Sequence, residues 1–124
     1  MSADQNVETT KKGYEAFAAG DVESALDNFD DAIEWTLGGN SQVSGTYRGK
    51  DEVLGLLAKL GEQSLKTKPS RFIADDDVVV VLTEVTAGGE TSAEADVYIF
   101  RDGKIVQAQS YADTAMQERV FGTK

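Results

Sequence analysis

Two carboxylates lie two residues apart in the C-terminal half of the chain, and their spacing suits proton transfer. Glu94 and Asp96 fall in an alternating segment, so both point to one face of a predicted strand, with Cα atoms roughly 6.5 Å apart. On a partly buried face, desolvation and mutual repulsion would raise the pKa of at least one of them. A protonated carboxylic acid can donate a hydrogen bond to a developing oxyanion, and an ionised one can act as a base.

The composition narrows the remaining chemistry. The 124 residues contain no His and no Cys, which excludes imidazole catalysis, thiolate chemistry and the usual zinc and iron–sulfur sites. No glycine-rich loop for phosphates opens a helix, so we expect no metal and no cofactor. The formal charge of −10 repels nucleic acid and anionic membranes, and we expect neither as a partner. The N-terminal residues lack a basic start and an apolar run, which predicts a cytoplasmic protein.

The elements that must position these groups begin with helices. The chain is predicted to be a single domain over residues 1–124, with a first helix that carries Tyr14 and Phe17 on one face and ends at Gly20. A short second helix follows Asp21, and a third covers residues 51–62. Between them, residues 32–37 alternate as a strand that contains Glu34 and Trp35, and residues 38–49 are predicted to form a polar loop that carries Tyr47.

From residue 66 onward the pattern predicts strands only, joined by two-residue turns at residues 75–76, 88–89 and 102–103. Cross-strand pairing then follows by counting outward from each turn, and it sorts the sheet into two faces. One face mixes aromatic, carboxylate and amide side chains and is predicted to line a ligand pocket; its residues include Phe72, Val81, Glu94, Asp96, Tyr98, Phe100, Gln107, Gln109 and Tyr111. Cross-strand aromatic packing is the alternative role for Tyr98 and Tyr111.

The other face of the predicted sheet is apolar throughout. It carries small and β-branched residues, among them Val80, Val97, Ile99, Val106 and Ala108. Because the helices can cover only one face, this one needs another partner, and a second copy of the chain is the commonest solution. We therefore expect a homodimer formed through this face.

The order of these motifs resembles the SnoaL-like and ketosteroid-isomerase-like branch of the nuclear-transport-factor-like superfamily. The segments that carry the resemblance are residues 29–35, 45–49, 77–81, 100–106 and 111–114. The resemblance implies an α+β, cone-shaped fold in which a curved antiparallel sheet wraps on about three N-terminal helices and encloses a pocket. It also implies frequent dimers, but no single reaction, because isomerases, cyclases, hydrolases and binding modules share the scaffold.

Of the three catalytic positions of steroid isomerases, this sequence matches one and differs at two. Asp96 falls where steroid isomerases have an aspartic acid in the oxyanion hole. The isomerase tyrosine aligns with Gly13, one residue before Tyr14, and the isomerase base aligns with Thr36. Glu34, two residues earlier on the same strand face, is a candidate substitute base. These mismatches argue against steroid isomerisation itself.

Three functions remain open at this point. The first is cofactor-free proton transfer on a small, mostly apolar molecule, with Asp96 as acid or base, Glu34 as a second catalytic candidate and Tyr14, Tyr98 and Gln109 orienting the ligand. In this reading the ligand-binding set is Tyr14, Phe17, Trp35, Tyr47, Phe72, Val81, Glu94, Tyr98, Phe100, Gln107, Gln109 and Tyr111. The second is a non-catalytic ligand-binding or accessory protein, and the third is a homodimeric structural module with a vestigial pocket.

Overall fold

The computed structural model describes residues 2–124 and has an α+β architecture, with one six-stranded sheet and four helices in that range. The helices are α1 (Ala3–Ala18), α2 (Val22–Ala25), α3 (Gly49–Glu62) and α4 (Thr114–Phe121). The strands are β1 (Phe29–Leu37), β2 (Gly45–Arg48), β3 (Lys66–Asp75), β4 (Val78–Ala87), β5 (Glu90–Arg101) and β6 (Lys104–Tyr111). No helix in this range is long and apolar enough to cross a membrane.

The sheet has the order β2-β1-β6-β5-β4-β3, with antiparallel neighbours except for the parallel pair β1 and β6. The three N-terminal helices agree with the predicted fold. The core lies between the sheet and α3, where Ile33, Val53, Leu56, Val79 and Val81 are almost fully buried. Alternation along β1 explains how this strand contributes to the core, since Ile33, Trp35 and Leu37 are buried and the residues between them are not.

Two parts of the predicted secondary structure are corrected by the structure. The loop over residues 38–49 contains β2, which pairs with β1 through Trp35–Tyr47 and its neighbours. The stretch after residue 111 is not strand but α4, whose N-cap Asp113 accepts a hydrogen bond from the backbone N–H of Met116. A side-chain cap of this kind satisfies one of the free N–H groups of a helix start, and it was the available sequence signal for α4.

Two of the three hairpins follow the predicted turns. Gly88 and Gly89 have φ of 57° and 79°, and Asp102 and Gly103 have 52° and 77°, the left-handed pair that a tight hairpin turn requires. Around residues 88–89 the predicted pairs Val81–Asp96, Val79–Tyr98 and Thr83–Glu94 are all present. The first hairpin turns one residue later than predicted, so Phe72 pairs with Val81 rather than Val79 and keeps its face.

The pairing of β5 with β6 differs from the prediction because of a bulge. Phe100 pairs with Ile105 as expected, but Ile99 then pairs with Gln107, which shifts every later pair by one residue. A shift of one residue moves side chains to the opposite face of a sheet. Ser110 therefore lies opposite Asp96, in the place predicted for Gln109.

Candidate functional site

A cavity of about 90 Å³ lies between the helices and the inner face of the sheet, and all four helices contribute to its wall. Aromatic and aliphatic side chains form most of its wall. The lining comprises Thr9, Thr10, Gly13, Tyr14, Phe17, Ala25, Asn28, Phe29, Trp35, Leu37, Leu57, Leu60, Leu65, Thr67, Glu94, Asp96, Tyr98, Ile105, Ser110 and Gln117. An apolar wall with a few convergent polar groups is typical of a small-molecule site.

The polar centre of the cavity is a chain of hydrogen bonds that joins α1 to β5. Tyr14 Oη donates to Asp96 Oδ2 at 2.5 Å and lies 2.8 Å from Tyr98 Oη. Because a phenol has one proton and Tyr14 gives it to Asp96, Tyr98 is the donor in the second bond. Asp96 is only 3% exposed, so this carboxyl group accepts its hydrogen bond from Tyr14 in an almost dry environment.

The second carboxyl group, Glu94, is placed beside the first. Burial, together with the charge of the neighbouring Asp96, raises the pKa of Glu94 to about 10. Glu94 therefore keeps its proton at neutral pH, as expected for at least one member of the pair. The arrangement gives the cavity a neutral carboxylic acid next to a carboxyl group that accepts a hydrogen bond from a phenol, which is the combination that acid–base catalysis requires.

The two tyrosines are hydrogen-bond donors rather than bases. Burial and the neighbouring phenol of Tyr98 raise the pKa of Tyr14 well above its ordinary value. Burial and the charge of Asp96 raise the pKa of Tyr98 in the same direction. Their rings pack edge to face with centroids 6.1 Å apart, and Trp35 packs against Tyr98 at 6.0 Å, so the phenols are fixed by packing as well as by hydrogen bonds.

Six residues predicted from the sequence meet in this cavity. They are Tyr14, Phe17, Trp35, Glu94, Asp96 and Tyr98. The tyrosine that contacts Asp96 is not at the position expected from the resemblance. Gly13 takes the position of the isomerase tyrosine, but the hydroxyl of Tyr14 donates to Asp96. Helix α1 therefore places a tyrosine hydroxyl beside Asp96 from the residue that follows Gly13.

The amides and the tyrosine predicted on β6 do not face the cavity, which corrects the expected pocket lining. Gln107 and Tyr111 are exposed, Tyr111 by 62%, and Gln109 is half-buried away from the cavity. The bulge after Ile99 turns all three outward. In their place Ser110 faces inward, where its Oγ accepts a hydrogen bond from Trp35 Nε1 at 2.9 Å.

The other predicted lining residues lie in the core or on the surface. Val81 and Phe100 are buried in the core outside the cavity wall, and Phe72 packs edge to face against Tyr14 without lining the cavity. Tyr47 is half-buried and donates to the carbonyl of Val43. Glu34, the candidate substitute base, is exposed and lies 3.6 Å from the guanidinium of Arg48, because the alternation of β1 points it away from the cavity.

The sequence interpretation missed Gln117 and Thr67. Gln117 is buried on α4, a helix that was not predicted, and Thr67 lies near the start of β3. Both side chains line the cavity. The Asp113 cap, followed by Met116 and Val120 at helical spacing, was the signal that could have placed Gln117.

We expect Tyr14→Phe to lower the free energy of unfolding by about 1–3 kcal/mol, because the change leaves a buried carboxylate oxygen without its donor. Tyr47→Phe is the matched control, since it removes a half-buried hydroxyl that donates only to a backbone carbonyl. Urea denaturation of both variants measures the difference. A loss in Tyr14→Phe no greater than in Tyr47→Phe would show that the Tyr14–Asp96 bond does not stabilise the fold.

Comparison with known proteins points to one family. A family model described as a SnoaL-like domain matches residues 11–108. No curated protein matches the sequence. Among solved structures, Bal32a from a soil-derived mobile gene cassette is 24% identical with a TM-score of 0.88, covering 96% of this chain and 98% of the other.

Two further structures are similar over nearly the whole chain. An NTF2-like protein from Burkholderia pseudomallei K96243 is 27% identical with a TM-score of 0.83, covering 98% of each chain. TerC, co-crystallised with polyporic acid, is 24% identical with a TM-score of 0.83, covering 96% of this chain and 99% of the other. The family model spans most of the chain, and the solved structures superpose on nearly all of it. The chain therefore belongs to the SnoaL-like domain family and has an NTF2-like fold.

Proposed function

We propose that this protein binds a small, mostly apolar molecule in the cavity and catalyses a proton transfer without a cofactor. The observation that supports this most directly is the buried pair Glu94 and Asp96, with Tyr14 bonded to Asp96. Glu94 is the proton donor and Asp96 the proton acceptor. Tyr14 orients Asp96 through its hydrogen bond, and Tyr98 in turn orients Tyr14. The protonated Glu94 is the donor available to a developing negative charge.

Deuterium exchange on a panel of simple carbon acids tests this function. A panel of one-ring ketones, each with an acidic carbon–hydrogen bond next to the carbonyl, is incubated with the protein in D₂O and followed by proton NMR. Enzyme-dependent loss of the signal of that hydrogen, above the rate in buffer, is the expected result for at least one compound. Isomerase chemistry and aldol-type cyclase chemistry both begin with a transfer of this kind, and the panel leaves the choice between them open. Hydrolase chemistry takes its proton from water instead and gives no exchange in this panel.

Binding without turnover is the second candidate function. The position of Glu34 favours it, because the only carboxylate proposed as a replacement for the missing base is exposed and paired with Arg48 outside the cavity. TerC with polyporic acid is a case of this fold crystallised together with a small molecule. Saturable ligand binding with no exchange in any member of the panel would select this candidate.

We also propose that the protein is a homodimer that pairs through the outer face of its sheet. The face carries half-buried Val80, Val97 and Ile99, and Ile73 beside them is 43% exposed. Val97→Asp places a charge in the middle of this face and should weaken the dimer at least about tenfold. Sedimentation equilibrium of the two proteins measures the change, with Glu62→Gln, at the exposed end of α3 and away from this face, as a control. A monomeric native protein at micromolar concentration would contradict the proposal.

A further inference from the structure

Three buried polar atoms of the cavity lack an ordinary hydrogen-bond partner within residues 2–124. They are Thr67 Oγ1, Asp96 Oδ1 and Gln117 Oε1, and they come from three separate elements, β3, β5 and α4. All three residues line the same cavity. Buried polar groups are nearly always satisfied, so these three atoms make one side of the cavity suited to a polar group of a bound molecule.

The chemistry of these atoms specifies a hydrogen-bond donor as the missing partner. A carboxylate oxygen can only accept, and a threonine hydroxyl can accept as well as donate. Gln117 can present either end of its amide. Asp96 Oδ2 already accepts from Tyr14, whereas Oδ1 has no hydrogen-bond partner within residues 2–124. A ligand that approaches Asp96 Oδ1 must therefore bring its own proton.

The charge of the cavity points in the same direction. Glu94 keeps its proton, and the charge that acts on Glu94 and Tyr98 is that of Asp96, while none of the lining residues within 2–124 is Lys or Arg. The titratable groups facing Asp96 are Tyr14 from α1 and Glu94 and Tyr98 from its own strand; the elements packed beside it contribute Val81, Ser110, Thr67 and Gln117, all uncharged. A buried charge without a counterion is costly, and a cation would offset that cost.

The aromatic wall is also suited to a cation. The cavity that contains the carboxyl pair is also lined by five aromatic side chains, Tyr14, Phe17, Phe29, Trp35 and Tyr98. The faces of such rings attract an organic ammonium group, while their area receives an apolar body. The net charge of −10 attracts cations to the protein as a whole.

From these features together we infer that the cavity takes an apolar organic cation, a molecule of about one ring with a protonated amine. The ammonium group lies against Asp96 Oδ1, and the ring lies among the aromatic side chains. This inference rests on the proposed function in one respect only, namely that the cavity binds a small molecule. It names the class of that molecule and does not depend on catalysis.

Three probes of one shape and different charge test it in the native protein. These are 2-phenylethylamine, 2-phenylethanol and phenylacetate, with affinities measured by calorimetry or ligand-observed NMR at pH 7. We expect the amine to bind at least about tenfold more tightly than the alcohol, because it adds a charge-assisted hydrogen bond and a cation–π contact. Phenylacetate should bind most weakly, because its carboxylate would meet the charge of Asp96.

The outcomes separate this inference from the proposed function. If the alcohol equals or exceeds the amine, or phenylacetate binds most tightly, the cation inference is overturned while the cavity remains a ligand site. If none of the three binds, the inference is likewise overturned, and deuterium exchange then decides the proposed function by itself. The ranking needs no variant, so it holds as a test whether or not substitutions at the site fold.

A variant locates the source of the preference. Asp96→Asn should reduce the affinity for the amine to about that for the alcohol, since it removes the charge and keeps the shape. Glu84→Gln, on the exposed side of β4, removes one negative charge from the surface and should retain the amine preference. An amine preference that survives in a folded Asp96→Asn protein would overturn the assignment to Asp96.

Discussion

Asp96→Asn lowers the rate of deuterium exchange at least about 100-fold and leaves the binding of neutral ligands intact, if Asp96 is the proton acceptor of the cavity. Asparagine matches the shape of aspartate, and its carbonyl oxygen can still accept from Tyr14. What it cannot do is take a proton. The loss therefore appears in turnover and not in the affinity for an uncharged substrate, the pattern of a group that acts in the transition state.

The measurement compares exchange rates and neutral-ligand affinities for the native protein and for two variants. Glu84→Gln, which changes an exposed carboxylate outside the cavity wall, should exchange at the native rate. An Asp96→Asn protein that is folded and exchanges within a factor of a few of the native rate would remove Asp96 from the reaction. The acceptor would then have to be water or another group of the cavity.

Glu94→Gln makes the protein more stable at pH 8 and flattens the dependence of its stability on pH. Glu94 has a pKa of about 10 in the folded protein against an ordinary value of 4.5, so between these values the folded state holds one proton more than the unfolded state. The native protein then loses about 1.4 kcal/mol of unfolding free energy per pH unit as the pH rises. The stabilising contribution is complete below about pH 4.5 and is lost as the pH approaches about 10.

From pH 6 to pH 8 the native protein should lose about 3 kcal/mol of unfolding free energy through Glu94. Glu94→Gln should not show this loss, because glutamine does not titrate. Glutamine also keeps an N–H that can donate to Asp96. Denaturant unfolding at pH 6, 7 and 8 gives the slope for each protein, and Glu84→Gln should keep the native slope. Parallel slopes for Glu94→Gln and the native protein would mean that Glu94 is ionised in the folded state at neutral pH.

Part of the site could be predicted from local patterns because those patterns persist in the fold. The Gly88–Gly89 turn fixes the register of β4 with β5, and alternation then puts Glu94, Asp96 and Tyr98 on the inner face. The helical spacing of α1 put Tyr14 and Phe17 on the face that packs against the sheet, and the alternation of β1 did the same for Trp35. These assignments depend on neighbours in sequence or across one tight turn.

The errors lie where a distant contact overrides the local count. Counting from Asp102–Gly103 placed Gln107, Gln109 and Tyr111 on the inner face of the sheet. A bulge between Ile99 and Phe100 exchanges the two faces of β6. Ser110 therefore points inward, where it accepts a hydrogen bond from Trp35 on β1. Glu34 is a different case, because local alternation alone puts it on the face opposite Trp35, where it is exposed beside Arg48. Gln117 depends on α4, an element whose packing against the end of the sheet is a tertiary contact.

The sequence by itself determined the class of fold, the absence of imidazole and thiolate chemistry, and the pairing of two carboxylates on one strand face. Those properties follow from composition and from the period of two along a strand. Only the tertiary structure decided which groups surround the carboxylates. Tyr14 and Asp96 are 82 residues apart, and their hydrogen bond exists because α1 packs on the inner side of the sheet, against β3 and β4. The burial that sets the pKa of Glu94 likewise comes from helices and strands far away in sequence, and no local pattern specifies how much water they exclude.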